Sequence, residues 1–253
     1  MTRQPLPGTI DLVKQTWLLY TKKWNELITL SAWFIYFGIV NFVLAILIRY
    51  LPVGGALVSI PLQLVMALLS IWVVIRLMQA SLNIVDEKKE LLSAEDSGKT
   101  WNFFWPLLVT GLLQLLIILG GSLLLILPGI YLAVALAYSP LSIIDRNLKG
   151  MEAIKASYRL VKGRWWSVLW RETAAGIIFA LGMMIVLGLV QSLISLITLG
   201  PAGITAVADA TSVSPMYQAT MDLFTSIAEA ATMPIFIILR AIIYRALQKT
   251  QSE

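Results

Sequence analysis

Long stretches of this chain carry no charged side chain. The longest runs from Thr100 to Ile144, and others occupy 27–48, 50–75 and 173–208. A helix needs roughly 20 apolar residues to cross the hydrocarbon layer of a bilayer. The longest stretch is about twice that length and therefore predicts two membrane crossings joined by a turn. The pattern as a whole is typical of a protein embedded in a membrane.

Six membrane-spanning helices fit this pattern. They are expected at about 27–49, 56–84, 168–198 and 217–247, with two more sharing 100–145. The turn between those two is predicted at Leu127-Pro128-Gly129, because proline interrupts the helical hydrogen bonds and glycine tolerates a positive φ. Gly120-Gly121-Ser122 is the alternative turn. Gly200-Pro201 is expected to end the fifth helix, and Pro234 to kink the sixth.

Lysine and arginine are unevenly distributed between the loops. They cluster in the lead-in, after the second helix, between the fourth and fifth helices and at the C-terminal end, whereas the alternate loops hold only Arg49. Short loops rich in basic residues stay on the cytoplasmic side. Both termini are therefore expected in the cytoplasm. The predicted organisation is an amphipathic lead-in at 1–26, a six-helix transmembrane domain at 27–247 with an amphipathic cytoplasmic segment at 146–166, and a cytoplasmic tail at 248–253.

Two of the basic segments resemble each other. Asp11 to Trp24 and Glu152 to Trp165 match at acidic, apolar, hydroxyl-bearing, basic and tryptophan positions. Each carries apolar side chains at helical spacing, which are Val13, Trp17, Tyr20 and Trp24 in one and Ile154, Tyr158, Val161 and Trp165 in the other. This pattern predicts helices lying in the membrane interface. The basic residues expected to contact anionic lipid are Lys14, Lys22, Lys23, Lys155, Arg159, Lys162 and Arg164.

Ser93 to Trp105 is a weaker third copy of the same pattern. If the copies are genuine, the chain consists of repeated units, each an interfacial helix followed by a transmembrane hairpin. The alternative is that a basic lead-in to a membrane helix tends to be amphipathic and to end in tryptophan whatever its origin. In both cases the predicted fold class is all-α: a polytopic membrane protein with six transmembrane helices and cytoplasmic amphipathic interfacial helices.

Composition narrows the possible chemistry. Charged residues make up 13% of the chain, against about 25% in a soluble domain. The chain contains neither cysteine nor histidine, which excludes disulfide bonds, Cys-ligated zinc and the commonest general base. We therefore expect no enzymatic activity, no metal and no cofactor. The net charge of +5 lies beside the membrane helices, so anionic lipid rather than nucleic acid is the expected partner.

The segment 127–168 carries a recognisable set of residues. They are Leu127-Pro128-Gly129-Ile130-Tyr131-Leu132, then Gly150, Glu152-Ala153, Ser157, Leu160, Lys162-Gly163 and Trp165, with a helix of small residues up to Asp145 between the two groups. With the six-helix layout, this segment resembles bacterial polytopic membrane domains that are found fused to glycerophosphodiester phosphodiesterases, and the related YciC-like integral membrane proteins. The resemblance implies the architecture and a location in the bacterial inner membrane. It does not imply the phosphodiesterase activity, which uses histidine.

Three charged residues are candidates for a site within the membrane. Glu229 lies about 16 Å along a helix from Arg240, so it falls inside the hydrocarbon layer of roughly 30 Å if Arg240 lies at its boundary. Asp222 precedes it on a similar face, and Arg49 is the only basic residue expected on the external side. We predict that Arg49 pairs with these carboxylates. The alternative is that Glu229 lines a polar cavity and handles a proton, a cation or a lipid headgroup.

These features predict a non-enzymatic membrane protein with a scaffold, accessory or lipid-interacting role. The alternative is a small transporter or channel. Polar side chains that converge with Glu229 on one cavity would favour transport, whereas a tightly packed apolar bundle with charges only at its rims would favour the scaffold. The expected partners are anionic membrane lipids, together with another membrane protein or a second copy of the chain.

Overall fold

A computed structural model of the protein describes residues 6–88, 90–199 and 215–250. These residues are α-helical apart from short connections, and none of them lies in a β-strand. The helices are α1 (Thr9–Lys22), α2 (Trp24–Ser31), α3 (Trp33–Tyr50), α4 (Pro52–Val85), α5 (Ala94–Leu124), α6 (Ile126–Leu136), α7 (Ser139–Arg146), α8 (Met151–Val161), α9 (Trp165–Leu199) and α10 (Pro215–Lys249).

Six stretches of the described residues are long and apolar enough to cross a membrane. They are Trp24–Tyr50, Leu57–Val85, Gly98–Leu123, Ile126–Arg146, Trp165–Ile197 and Ala219–Lys249. The predicted all-α polytopic fold with six spanning helices is confirmed. Gly200-Pro201, the predicted end of the fifth helix, lies outside the described residues. The sixth span continues as a helix through Pro234.

The connection between α5 and α6 lies at Leu125, where the backbone is extended with φ −164° and ψ 150°. Both predicted turns, Leu127-Pro128-Gly129 and Gly120-Gly121-Ser122, are therefore wrong. Pro128 lies in the first turn of α6, where a backbone N–H would have no partner within the helix. Proline is tolerated there and does not mark the turn.

The glycines beside this connection pack the two helices together. A Cβ atom added to Gly129 would overlap Ser122, and one added to Gly121 would come within 2.6 Å of Leu132. Small residues at such positions allow membrane helices to approach closely. The two glycines thus determine how α5 and α6 pack rather than where the chain turns.

The chain divides into two compact units. Unit 1 comprises Met1–Leu27, Ile71–Gly176 and Pro234–Glu253, and unit 2 comprises Ile28–Ser70 and Ile177–Met233. All lysine and arginine residues except Arg49 belong to unit 1. Within unit 1, a buried apolar cluster forms between α4, α5, α7 and α8, and its members are Ile75, Phe103, Phe104, Ile143 and Ala153.

The apolar side of α8 is covered by protein. Ile154 and Val161 are buried, and the Ser157 hydroxyl donates a hydrogen bond to the Ala135 carbonyl at 2.8 Å. The same hydroxyl oxygen accepts a bond of 3.1 Å from the backbone N–H of Tyr138. The prediction that α8 places its apolar side in lipid is therefore wrong. A helix with one apolar side can bury that side in lipid or in protein, and the sequence pattern is the same in both cases.

The buried side of α1 also differs from the prediction. Leu12, Thr16 and Tyr20 are buried, whereas Trp17 and Trp24 are 53% and 43% exposed. The apolar residues of α1 are distributed over two sides of the helix, so its spacing alone did not show which side packs against protein. Burial raises the pKa of the Tyr20 hydroxyl to about 12.

The similarity of the two basic segments extends to their structure. In both, a helix ends and a new one begins at the matching tryptophan, Trp24 or Trp165. The matching positions are buried in both, and the pairs are Leu12 and Ala153, Thr16 and Ser157, Tyr20 and Val161, and Leu27 and Val168. The two copies therefore form the same kind of element.

The third copy does not form this element. α5 continues from Ala94 to Leu124 without a break at Trp105. Its start is fixed by a capping box, in which the Ser93 hydroxyl accepts a bond of 3.1 Å from the Asp96 N–H and the Asp96 carboxylate accepts one of 3.2 Å from the Ser93 N–H. The prediction of an interfacial helix separate from the span is wrong here.

Candidate functional site

A groove in unit 2 brings Glu229 together with polar side chains from two other helices. Its volume is about 490 Å³. α3 contributes Asn41, α4 contributes Gln63 and Ser70, and α10 contributes Ser226 and Glu229. All five residues lie within or next to membrane-spanning stretches that otherwise consist mostly of apolar residues. We refer to this feature as the Glu229 groove.

Helical spacing explains why these side chains share one groove. Residues three, four and seven positions apart lie on the same side of a helix. Gln63 and Ser70 are related in this way on α4, as are Ser226 and Glu229 on α10. The sequence therefore places these side chains on common faces, but it does not show which faces meet.

Close packing of α3 and α10 supports the groove. A Cβ atom added to Gly38 would overlap Ser226 and would come within 3.2 Å of Leu223. Only glycine leaves room for α10 at this point. Gly38 therefore contributes to the position of Glu229, one turn further along α10.

The polar groups of the groove differ in their hydrogen bonding. The hydroxyls of Ser70 and Ser226 donate to carbonyls of their own helices at 2.7 and 2.9 Å. The side chains of Asn41, Gln63 and Glu229 form no hydrogen bond with any described residue. One carboxylate and two amide groups therefore line the groove without a partner in the described part of the chain.

Aromatic rings form a further part of the groove wall. Phe34 and Phe37 of α3 lie edge to face, with ring centroids 6.0 Å apart. A phenyl face attracts a cation, and the attraction strengthens when the cation is desolvated. No group of three or more Asp, Glu, His or Cys residues suited to a metal ion occurs among the described residues. The groove therefore combines one carboxylate with amide, hydroxyl and aromatic side chains.

The predicted pairing of Arg49 is not seen within the described ranges. Arg49 is exposed at the end of α3, and neither Glu229 nor Asp222 forms an ion pair with it. Asp222 is exposed on α10 and does not line the groove. The position of Glu229 corresponds to the alternative, a carboxylate on a polar cavity.

The basic residues proposed from the sequence for lipid contact all lie in unit 1. Those that are exposed are Lys14, Lys22, Lys155, Arg159 and Lys162. Lys23 forms an ion pair of 2.7 Å with Glu26, and Arg164 donates a hydrogen bond of 3.1 Å to Thr250. The sequence correctly indicated basic helices but not these internal partners.

A partly exposed ion pair in unit 1 was missed from the sequence. The guanidinium of Arg240 lies 2.6 Å from the carboxylate of Glu172, which is 17% exposed. The hydroxyl of Tyr138, a fully buried residue, donates to the same carboxylate at 3.3 Å. From the sequence, Arg240 was placed at the membrane boundary without a partner. The sequence does contain a sign of this pair, because Glu172 and Arg240 have opposite charges and lie at corresponding depths of two spanning helices.

Comparison with known proteins gives a family without an assigned activity. Residues 97–247 match the family described as Domain of unknown function (DUF7847), over a range that includes α6 to α9 and nearly all of α5 and α10. Neither the curated proteins nor the solved structures gave a match. The resemblance of 127–168 to phosphodiesterase-fused and YciC-like membrane proteins stays a prediction. Because the matched range covers more than half of the chain, the protein belongs to the DUF7847 family.

Proposed function

We propose that this membrane protein binds an ammonium-bearing molecule in the Glu229 groove and acts as a small transporter. The observation that carries the proposal is the carboxylate of Glu229, which lines the groove within a spanning helix and has no partner among the described residues. An ionised side chain within hydrocarbon costs a few kcal/mol and by default marks a functional position.

The groove offers the groups that an ammonium ion requires. The carboxylate of Glu229 accepts N–H bonds and neutralises the charge, and the amide oxygens of Asn41 and Gln63 accept further N–H bonds. Phe34 and Phe37 provide apolar contact for the carbon atoms. The volume of about 490 Å³ lies within the range of small-molecule sites, roughly 300–1,000 Å³.

Charge distribution favours a cation over an anion. Arg49 is the only basic residue of unit 2, and it does not line the groove. An anion would meet the carboxylate of Glu229 with no basic side chain on the groove wall to compensate. A scaffold role would require an apolar bundle with charges only at its rims. Glu229 departs from that pattern.

Binding can be tested with two matched carboxylate variants of α10. Glu229→Gln removes the charge inside the groove, and Asp222→Asn removes an exposed charge of the same helix outside it. Purified protein in nanodiscs would be titrated with butylammonium and methylammonium, both of which carry N–H donors, with butanol as the uncharged control. We expect both cations to raise the melting temperature of the wild type and of Asp222→Asn but not of Glu229→Gln. Equal shifts in all three proteins would contradict the proposal.

Transport requires a second measurement. Proteoliposomes of the wild type and the same variants would be compared for uptake of radiolabelled methylammonium. We expect uptake above that of empty liposomes, and at least a fivefold loss in Glu229→Gln. Uptake no greater than that of empty liposomes would contradict the transport role.

Anionic lipid is a second candidate ligand, at a different place. An apolar groove of about 250 Å³ in unit 1 is lined by Ile117, Leu132 and Leu136. Lys155 and Arg159 also line it. Apolar side chains suit an acyl chain, and the basic pair suits an anionic headgroup. Changing both basic residues to glutamine should reduce retention of phosphatidylglycerol, but not of phosphatidylcholine, in native mass spectra. Unchanged retention would contradict this role.

A further inference from the structure

Unit 1 contains a polar cleft that the proposed function does not use. Its volume is about 590 Å³, and it lies between the end of α4, the start of α5, the connection after α7 and one residue of α10. Four basic and three acidic side chains line it, in addition to several amides. We refer to this feature as the polar cleft.

Two of the three carboxylates share one arginine as their partner. Arg245 donates two bonds to Asp86, at 2.8 and 2.6 Å, and lies 2.7 Å from Asp145. Asp145 also accepts bonds of 2.9 Å from the Tyr244 hydroxyl and 2.8 Å from the Gln248 amide. These contacts join α4, α7 and α10. They occupy oxygen atoms of both carboxylates, and the single guanidinium compensates one of their two negative charges.

The third carboxylate, Asp96, is held in the cap of α5. Burial alone would raise the pKa of Asp96, but hydrogen bonds from Ser93 and Asn83, together with the nearby Lys88 ammonium, hold it below its ordinary value. The Asn83 amide lies 3.1 Å from this carboxylate and 2.9 Å from the Leu91 carbonyl. Asp96 therefore forms part of the wall of the cleft, and its carboxylate is not available to a ligand.

The side chains of the cleft that have no partner can donate hydrogen bonds. Lys88 and Lys149 are exposed and form no salt bridge with any described residue, although the Lys88 ammonium lies near enough to Asp96 to act on its carboxylate. The side-chain amides of Asn102 and Asn147 form no hydrogen bond within the same described ranges. Ammonium groups donate only, and amides donate through their nitrogen atoms. The lining of the cleft thus carries four basic against three acidic side chains, and its unpaired groups are rich in donors. Such a set suits an anion with several acceptor oxygens.

The cleft lies at the ends of two membrane-spanning stretches. Asn83 is close to the end of Leu57–Val85, and Lys99 and Asn102 are at the start of Gly98–Leu123. On the same helix, Trp101 and Trp105 are 60% and 68% exposed. Exposed tryptophan at the end of a span is typical of the headgroup layer. The cleft therefore lies at the depth where phosphate groups of lipids are found.

We propose that the polar cleft binds a phosphate-bearing anion, with Lys88 and Lys149 as its charged contacts and Asn102 and Asn147 as additional donors. The phosphate belongs to the headgroup of a phospholipid or to a free phosphate ester, since both present the same oxygens. The site is separate from the Glu229 groove, and it takes a ligand of the opposite charge.

The test uses full-length protein, stripped of lipid, and two pairs of probes. Glycerol 3-phosphate is compared with glycerol by thermal shift, and phosphatidylglycerol with diacylglycerol by native mass spectrometry. Lys88→Gln/Lys149→Gln is the test variant, and Lys88→Arg/Lys149→Arg keeps the charge. Arg146→Gln removes an exposed basic residue that neighbours the cleft without lining it.

We expect at least a fivefold weaker affinity for one phosphate probe in the glutamine variant, near wild-type affinity in the arginine variant, and a change below twofold in Arg146→Gln. If the glutamine variant loses affinity for phosphatidylglycerol alone, the natural ligand is a lipid headgroup. If it loses affinity for glycerol 3-phosphate alone, the natural ligand is a free phosphate ester. An unchanged melting temperature of the unliganded variants shows that the fold is intact. The proposal is overturned if the glutamine variant binds both phosphate probes like the wild type, or if phosphate-free probes bind equally well.

Discussion

Individual charged residues in the spanning helices of this protein have two different environments. The carboxylate of Glu172 is paired with Arg240 and bonded to Tyr138, whereas that of Glu229 lines a groove without a described partner. A paired charge within a membrane protein stabilises a helix contact, and an unpaired one carries a cost that a ligand can remove. The first is therefore expected to serve stability and the second to serve binding.

The ion pair predicts a non-additive effect on stability. Glu172→Gln and Arg240→Gln should each lower the melting temperature in detergent, because each strands the charge of its partner. The double variant should lose less than the sum of the single losses, with a coupling of about 1 kcal/mol, since half of the Arg240 side chain is exposed. Additive losses would show that the pair does not stabilise the contact between α9 and α10.

The cap of α5 predicts a dependence on pH. The pKa of Asp96 is lower in the folded protein than its ordinary value of 3.8, so the folded state favours the ionised carboxylate. The stability that this contributes is fully present above the ordinary pKa and is lost as the pH falls through the lowered one. Asp96→Ala should cost about 1 kcal/mol at pH 6, and this cost should fall as the pH is lowered below 3.8. Denaturation in detergent across that interval measures the difference, and a constant difference would contradict it.

For individual residues, the sequence identified some of the charged side chains within the spans but not the residues that they contact. Glu229 was recognised because a carboxylate within an apolar helix is conspicuous in any sequence. The pairing of Glu172 with Arg240 was missed because it depends on which sides of α9 and α10 adjoin. Arg49 was assigned to Glu229 as the only available base on that side, and the structure places no ion pair between them in its described part.

The helices themselves pack through small residues at a few positions. Gly129→Ala should place a methyl group against Ser122 and separate α5 from α6, at a cost of about 1–3 kcal/mol. Gly120→Ala is the matched control, because a Cβ atom at Gly120 has nothing within 4 Å. Melting temperatures in detergent should fall for the first and not for the second.

A compensating change tests the cause of that loss. Ser122→Gly removes the Oγ and Cβ atoms that the new methyl group would meet, and leaves the Ser122 Cα at 3.0 Å, so it should restore part of the stability of Gly129→Ala. Failure to restore any of it, or an equal loss in Gly120→Ala, would show that the close contact is not responsible.

Helix positions were predicted well where composition determines them. A span must be apolar over about 20 residues, so each of the six was visible in the sequence. The connection at Leu125 was not visible, since Pro128 is as compatible with the first turn of a helix as with a turn between helices. The buried side of α1 was missed for a similar reason, because either side carries enough apolar residues to pack against protein.

The molecule as a whole has an asymmetric charge distribution that predicts its orientation. Gln15 of α1 lies among the basic residues of unit 1, and Tyr50 at the end of α3 lies beside Arg49. The chain has no native cysteine, so single cysteines can be introduced at these two exposed positions. In intact cells, a membrane-impermeant thiol reagent should label the second and not the first.

Permeabilised cells provide the control for that experiment. The cysteine at position 15 should become reactive once the reagent can enter. Labelling at position 15 in intact cells, or protection at position 50 that is lost on permeabilisation, would reverse the proposed orientation.

The confinement of nearly all basic residues to one unit restricts how copies of the chain can assemble. If the expected orientation holds, every copy inserts in the same direction and two neighbouring copies are parallel. A closed ring or dimer must then have its rotation axis along the membrane normal. Every copy in such an assembly would hold its Glu229 groove at the same depth and facing the same side of the bilayer.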